Sequence, residues 1–358
     1  MSRFHLKGLD TYRAISVIVV FVCHVELFKS RFGMSNFLKY DFFRYIGGIT
    51  GVTLFFTLSG FLITYLLVIE KSKTNTISLK NFYLRRILRV WPLYFLIILI
   101  SYLLIDYSPS FLTISLCLTI FPNIAHVLGA GWAVSPQIWS IGVEEQFYLF
   151  WPLIAKKSKN FLIIIILIFI IITALPHIIL FLLNHFYPDP HIMSVTNKLF
   201  FGLKFNTMAS GSFFAILYFK KVKIIEIVNK KLWLSYFLLI IPFYLWFSGF
   251  HMKYLNEELF SILFGISILV IASNTSIFNI DTKISLFLGK ISYGIYMFHW
   301  IVLELMFRNK IFSNITENEL LLNILIYTST LSISIVVSSF SYYYIEKPFL
   351  KLKERYNR

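Results

Sequence analysis

Ten apolar runs of membrane-spanning length, near residues 14–30, 46–69, 91–106, 139–155, 161–183, 199–219, 232–250, 258–273, 285–307 and 321–345, take up most of this chain. A helix needs about twenty apolar residues to cross a bilayer, so runs of this length predict transmembrane helices. The bulk composition agrees: 58% of the 358 residues are hydrophobic and only 14% charged, and the mean hydropathy is +0.76. That excludes a soluble globule and leaves an all-α, polytopic integral membrane protein. No long linker, low-complexity tract or internal repeat divides it, so residues 1–358 are expected to form a single membrane domain.

Charge placement decides the topology. An eleventh apolar stretch, 111–124, is shorter and interrupted by Pro122 and Asn123. With the N-terminus inside, the clusters at 70–73, 156–159, 220–223 and 351–358 all fall on the inner side only if 111–124 does not cross. The expectation is therefore about ten transmembrane helices, both termini cytoplasmic, and an outer-side segment 107–138 that enters the membrane and returns near 111–124. The net charge of +16 then follows from the positive-inside rule and needs no nucleic-acid partner. Cys23 and Cys117 both lie in apolar runs, which gives no disulfide framework and no metal-ligand spacing. The N-terminal run resembles a signal peptide but lacks a small-x-small cleavage site, and reads as an uncleaved anchor.

Three polar intrusions stand out against this background. In "GLDTYRAISVIVVFVCHVELF", residues 8–28, His24 and Glu26 sit inside an apolar run, where ionisable groups are costly and mark functional sites. Arg13 lies eleven residues before His24, almost a whole number of turns, so both share a helix face roughly 16 Å apart along the axis. In "NFYLRRILRVWPLYF", residues 81–95, Arg85, Arg86 and Arg89 form one cationic patch. A topology signal would accept Lys, and this chain has 23 Lys to 10 Arg; an all-Arg patch favours the guanidinium fork that grips phosphate. In "WSIGVEEQFYLFWPL", residues 139–153, Glu144 and Glu145 point about 100° apart, so at most one faces the cavity of His24. Counting depth from the two membrane edges brings Glu144 within reach of His24, where a carboxylate would orient an imidazole base. Weaker signals are Ser59 in "GVTLFFTLSGFLIT", Tyr148 beside the Glu pair, the stripe of Ser292, Tyr296 and His299 in "LGKISYGIYMFHW", and Glu346 in "YYYIEKPF". These, with Glu145, are candidate lining of the substrate cavity, Glu346 excepted, which reads as an interfacial ion-pair partner.

Taken in order, Arg13 with His24, "GVTLFFTLSGFLI", "RRILRVWP", "WSIGVEEQFY", "SYGIYMFH" and "IEKP" resemble the successive motifs of the acyltransferase 3 family of membrane O-acyltransferases, from residue 8 to about 349. The resemblance implies ten membrane-spanning helices, an acyl-CoA donor, usually acetyl-CoA, drawn from the cytosol, and transfer to a hydroxyl of a cell-surface or lipid-linked glycan such as a polysaccharide or lipopolysaccharide. It implies a bacterial inner (cytoplasmic) membrane, no permanently bound cofactor and no metal. Residue by residue, Arg13 and His24 match the first-span pair, Arg86 and Arg89 with Arg85 the donor-side arginines, and Glu144 the first carboxylate of the fifth motif. Many relatives append an extracellular hydrolase-like domain; none is expected here, as the chain ends eleven residues after Lys347.

The residues and the resemblance support one mechanism: Arg85, Arg86 and Arg89, helped by Arg13, hold the phosphates of CoA, and His24, oriented by Glu144, either deprotonates the acceptor or carries the acyl group itself. A transporter or flippase for a lipid-linked glycan is the rival, with Arg13, His24 and Glu144 as a proton relay; it would show inverted repeats. The bilayer is a partner in either case, and a second copy of the chain stays open as another.

Overall fold

The computed structural model describes residues 6–40, 43, 47–104, 109–252, 255–273, 280–313 and 315–356, with nothing said of the side chains of residues 104 and 201. Residue 46 of the second run, 105 and 106 of the third, 107 and 108 of the outer loop, and 357 and 358 of the basic tail lie outside the described residues. No strand occurs among those described.

The helices are α1 Leu9–Arg31, α2 Gly48–Thr74, α3 Leu79–Leu104, α4 Phe111–Leu118, α5 Pro122–Val127, α6 Trp139–Lys157, α7 Phe161–Phe186, α8 Pro190–Gly202, α9 Phe205–Lys220, α10 Lys223–Lys230, α11 Leu232–Phe247, α12 Asn256–Ser273, α13 Lys283–Arg308, α14 Glu319–Ser341 and, after one π-helical turn at Tyr342–Glu346, α15 Lys347–Lys353. Seven helices among the described residues are long and apolar enough to cross a membrane: α1, α2, α3, α7, α12, α13 and the one that opens at Glu319. The expected count of ten is thus met by length and composition only in part. The other three fall short for visible reasons. Helix α6 holds Glu144, Glu145, Lys156 and Lys157 within its 19 residues, and α9 and α11 have 16 residues each, about 24 Å at 1.5 Å per residue. The run at 199–219 is not one helix: Lys204 takes a left-handed conformation (φ 51°), and its ammonium pairs with Glu257, so α8 and α9 meet at a break.

The stretch 111–124 folds as expected in one respect, since no single helix runs through it. Ile120 turns the chain at φ 66°, and Pro122 opens α5, where its missing N–H costs nothing. The segment then packs inward. Asn123 and Gln146 exchange hydrogen bonds at 3.0 and 2.7 Å, and Gln137 in the turn before α6 donates to Met297 O at 2.9 Å.

Two close crossings set the frame around the site. A Cβ on Gly60 of α2 would lie 1.9 Å from Met208 O, and one on Gly211 of α9 would lie 2.0 Å from Thr57 O, so these backbones touch through their glycines. Helix α1 runs parallel to α13: Gly289 backs onto Asp10 O, where a Cβ would stand at 2.2 Å, and fourteen residues on along α1 and ten along α13 His24 meets His299. Thr282 and Ser285 form a capping box that starts α13, and Asp281 anchors the foot of α1 by accepting from Gly8 N and the Thr11 hydroxyl, each at 2.8 Å.

Candidate active site

A cavity of about 320 Å³ lies between α1, α2, α3, α6, α13 and α15, lined by Asp10 and Arg13, Ser59, Arg86 and Arg89, Ser140, Glu144 and Tyr148, Ser292, Tyr293 and Tyr296, and Lys353, with apolar walls from α2. Four basic side chains and two acidic ones therefore face one volume. The helices deliver them by period: Arg86 and Arg89 are three apart on α3, Glu144 and Tyr148 four apart on α6, and Ser292 and Tyr296 four apart on α13.

Each carboxylate is already engaged. Asp10 accepts from Arg13 Nη1 at 2.5 Å, a first-turn acid that also suits the positive end of α1. Glu144 Oε1 accepts from both Ser59 Oγ and Tyr148 OH. The Tyr148 ring in turn lies 5.1 Å from the Arg86 guanidinium, within cation–π range. Ser59, Glu144, Tyr148 and Arg86 thus form one connected series across α2, α6 and α3. The cations are left in surplus, and Arg86 Nε is buried without a hydrogen-bond partner. A buried donor without an acceptor is costly in a finished protein and natural in one that waits for an anion.

Several sequence-derived placements change. Arg85 does not line the cavity; its guanidinium pairs with Glu70 at 2.9 Å and donates to Tyr356 O at 2.7 Å, tying α2 and the C-terminal segment to α3. Glu145 is also outside, with Oε2 accepting from Trp91 Nε1 at 3.0 Å. His24 is not oriented by Glu144. Its Nδ1 lies 2.7 Å from His299 Nε2, and the two rings meet edge to edge and nearly coplanar, with centroids 5.0 Å and planes 7° apart. Counting Glu144 inward from an outer edge misplaces it, because contacts with α13 and not the length of the apolar run set the position of α6. The inward-folded loop before it places Gln137 beside Met297, close to the level of His299, and seven residues on, about 10 Å by helix rise, Glu144 has reached the level of Arg13.

The histidine pair stands beyond the cavity's far wall. His299 lies three residues past Tyr296 on α13, with ring centroids 5.8 Å apart, and the Tyr296 hydroxyl is held by Ser140 Oγ at 2.7 Å and Gln137 O at 3.1 Å. Ser292 donates to Gly289 O at 2.9 Å inside α13. Tyr293 OH donates to Val90 O at 2.9 Å and so pins α13 to α3. Arg13, Arg86, Arg89, Ser59, Glu144, Tyr148, Ser292 and Tyr296 are thus brought together, while His24 and His299 form a second group. Asp10, Ser140, Tyr293 and Lys353 were missed. Asp10 was legible as an i,i+3 partner of Arg13; Lys353 was hidden in a tail that reads as a topology signal.

Comparison with known proteins gives this arrangement a context. The chain matches the acyltransferase 3 family, described as an acyltransferase domain, over residues 6–343. It is 31% identical over 166 residues to the peptidoglycan O-acetyltransferase OatA of Listeria monocytogenes, a match covering 42% of this chain and 24% of that protein. It is 26% identical to a putative O-acetyltransferase of Staphylococcus aureus strain COL over 97% of this chain and 58% of that protein. The O-acetyltransferase OatA of Staphylococcus aureus strain NCTC 8325 is likewise 26% identical, over 98% of this chain and 58% of its own length. The chain therefore spans little more than half of the relatives it matches end to end. No solved structure matches it. With a match that runs through nearly all of its helices and takes in every residue of the cavity except Lys353, this membrane chain belongs to the acyltransferase 3 family.

Proposed function

We propose that the chain is a membrane O-acetyltransferase that takes an acetyl group from cytosolic acetyl-CoA and passes it to a hydroxyl of a cell-surface or lipid-linked glycan, in the bacterial cytoplasmic membrane with both termini inside. The observation that carries this reading is the surplus of cations in one cavity: Arg13, Arg86, Arg89 and Lys353, with Arg86 Nε left unpartnered. CoA is a polyanion on a slender acyl-bearing arm. Arg86, Arg89 and Lys353 bind its phosphates, and the cavity admits the arm between α2 and α13. The relatives' names support acetyl as the acyl group and a glycan as the acceptor.

The chemistry falls to His24. Its Nε2 takes the proton of the acceptor hydroxyl as the oxygen attacks the thioester carbonyl; the C–S bond breaks, and the proton leaves with the CoA thiolate as the free thiol. Ester and CoA are the products. Glu144 serves the donor side, fixing Tyr148 beneath Arg86 by hydrogen bond.

The test is acetyl transfer from labelled acetyl-CoA by the protein in proteoliposomes, paired with O-acetyl analysis of surface glycans in a deletion strain. Donor-dependent transfer that Arg86→Lys and Arg89→Lys weaken through KM, and that His24→Ala abolishes with donor binding intact, is the expected result. No acetyl-CoA consumption, together with glycan-lipid movement across the bilayer, would replace this reading with that of a flippase.

A further inference from the structure

The fold joins a second histidine to the first. His299 is buried, 1% exposed, and both of its ring nitrogens are engaged: Nδ1 with Ile295 O at 3.1 Å and Nε2 with His24 Nδ1 at 2.7 Å. A carbonyl oxygen can only accept, so Nδ1 of His299 carries a proton. With both rings neutral, His299 Nε2 then has the lone pair and must be the acceptor, and His24 Nδ1 must be the donor. The proton positions of the pair are thereby fixed in series, from the α13 backbone to the ring of α1, and the one nitrogen left basic is His24 Nε2.

We propose that His299 is a positioning residue for acetyl transfer: by accepting the Nδ1 proton of His24 it selects the tautomer that leaves the His24 lone pair at Nε2, where the acceptor's proton is taken. This rests on His24 being the base. The rest of the surroundings support a role of orientation: His24 also packs edge-on against Trp300, with centroids 4.9 Å apart, and Phe21 meets the His299 ring edge-on at 6.4 Å. The two imidazoles lie nearly coplanar, 7° apart and edge to edge, which points the lone pair of one nitrogen along the N–H of the other, and the hydrogen bond chooses which His24 nitrogen is free. No acid is needed in this arrangement. Glu144, the carboxylate that the sequence suggests for the task, is occupied with Ser59 and Tyr148.

The test has two arms. In nitrogen-15 spectra of the unmodified, histidine-labelled protein in bilayers, with the signal assigned by its loss in His24→Ala, His24 should show a protonated Nδ1 and an unprotonated Nε2 below saturation with substrate. A protonated Nε2 overturns the proposal without any variant having to fold. In the second arm, His299→Phe fills the space but cannot accept, and His299→Gln can accept through its amide oxygen. At matched protein level His299→Phe should lower kcat about 100-fold, the scale of a mispositioned general base, while KM for acetyl-CoA stays within error, because the phosphate site is elsewhere. His299→Gln should recover most of the lost kcat. Equal kcat losses for Phe and Gln, or a loss expressed in donor KM, would make His299 a packing residue and end the proposal. Normal turnover by His24→Ala would remove the base itself, and that outcome is separable from a dead His24→Ala with a fully active His299→Phe.

Discussion

Arg85, Arg86 and Arg89 occupy one turn of α3 and do three different things. Arg86 keeps an unpartnered Nε, Arg89 reaches the cavity from an exposed position, and Arg85 is consumed by Glu70 and Tyr356 O. Arg89→Ala should therefore raise donor KM by about tenfold or more, the scale of a lost charge-assisted hydrogen bond of ~1.5–3 kcal/mol. Arg85→Met should leave donor KM nearly unchanged and instead expose the C-terminal segment to protease, read by limited proteolysis in detergent. Glu144→Gln preserves shape and one acceptor but gives up the charge that holds Tyr148 beneath Arg86, so donor KM should rise while the proton-transfer step is spared. A kcat loss with unchanged KM would return Glu144 to the side of His24. The sequence made the arginines legible through residue choice, because Arg in a Lys-rich chain needs a reason. It could not say that Arg85 is taken, since Glu70 lies fifteen residues away on another helix and nothing local pairs them.

At the scale of helices, the crossing of α2 and α9 depends on two missing side chains. Gly60→Ala would put a methyl 1.9 Å from Met208 O, and a backbone cannot retreat as a side chain does. We expect a loss of ~1–3 kcal/mol or more, seen as a lower Tm in detergent, and with it a displaced Ser59, the next residue on α2. The other end of α1 is clamped by charge: Lys29 Nζ meets Glu26 Oε1 at 2.6 Å, and the same oxygen accepts from Tyr327 OH at 2.6 Å, while Oε2 accepts from Phe37 N. Lys29→Met leaves a buried carboxylate without its cation and should cost ~3–5 kcal/mol, with Glu26→Gln added to it restoring part of the loss. Helix positions were largely readable because apolar runs report them directly. The inward fold of 128–138 was not, because its burial is decided by Gln137 finding Met297 O and Asn123 finding Gln146, contacts between residues far apart in sequence. That one displacement moved Glu144 from the histidine to the arginines.

For the molecule as a whole, Lys71 donates to Ala155 O and Ser158 O and Arg85 joins Glu70 to Tyr356 O, so three of the basic segments meet at one end, which the positive-inside rule predicts to be the inner one. Single cysteines at residues 112 and 121 should react with an impermeant thiol reagent from outside, and one at 158 should not; labelling at 158 from outside would reverse α6. The cavity itself joins distant parts of the chain. Leu6, Asp10 and Arg13 come from its start, and Lys353 comes from its last described helix. Arg13 and Lys353 stand 340 residues apart in the sequence, so during synthesis the first helices wait in the membrane with one side of this cavity open until residue 353 has left the ribosome. A copy that stops before residue 353 can still insert its apolar helices, but it lacks the lysine that completes the cavity's basic lining.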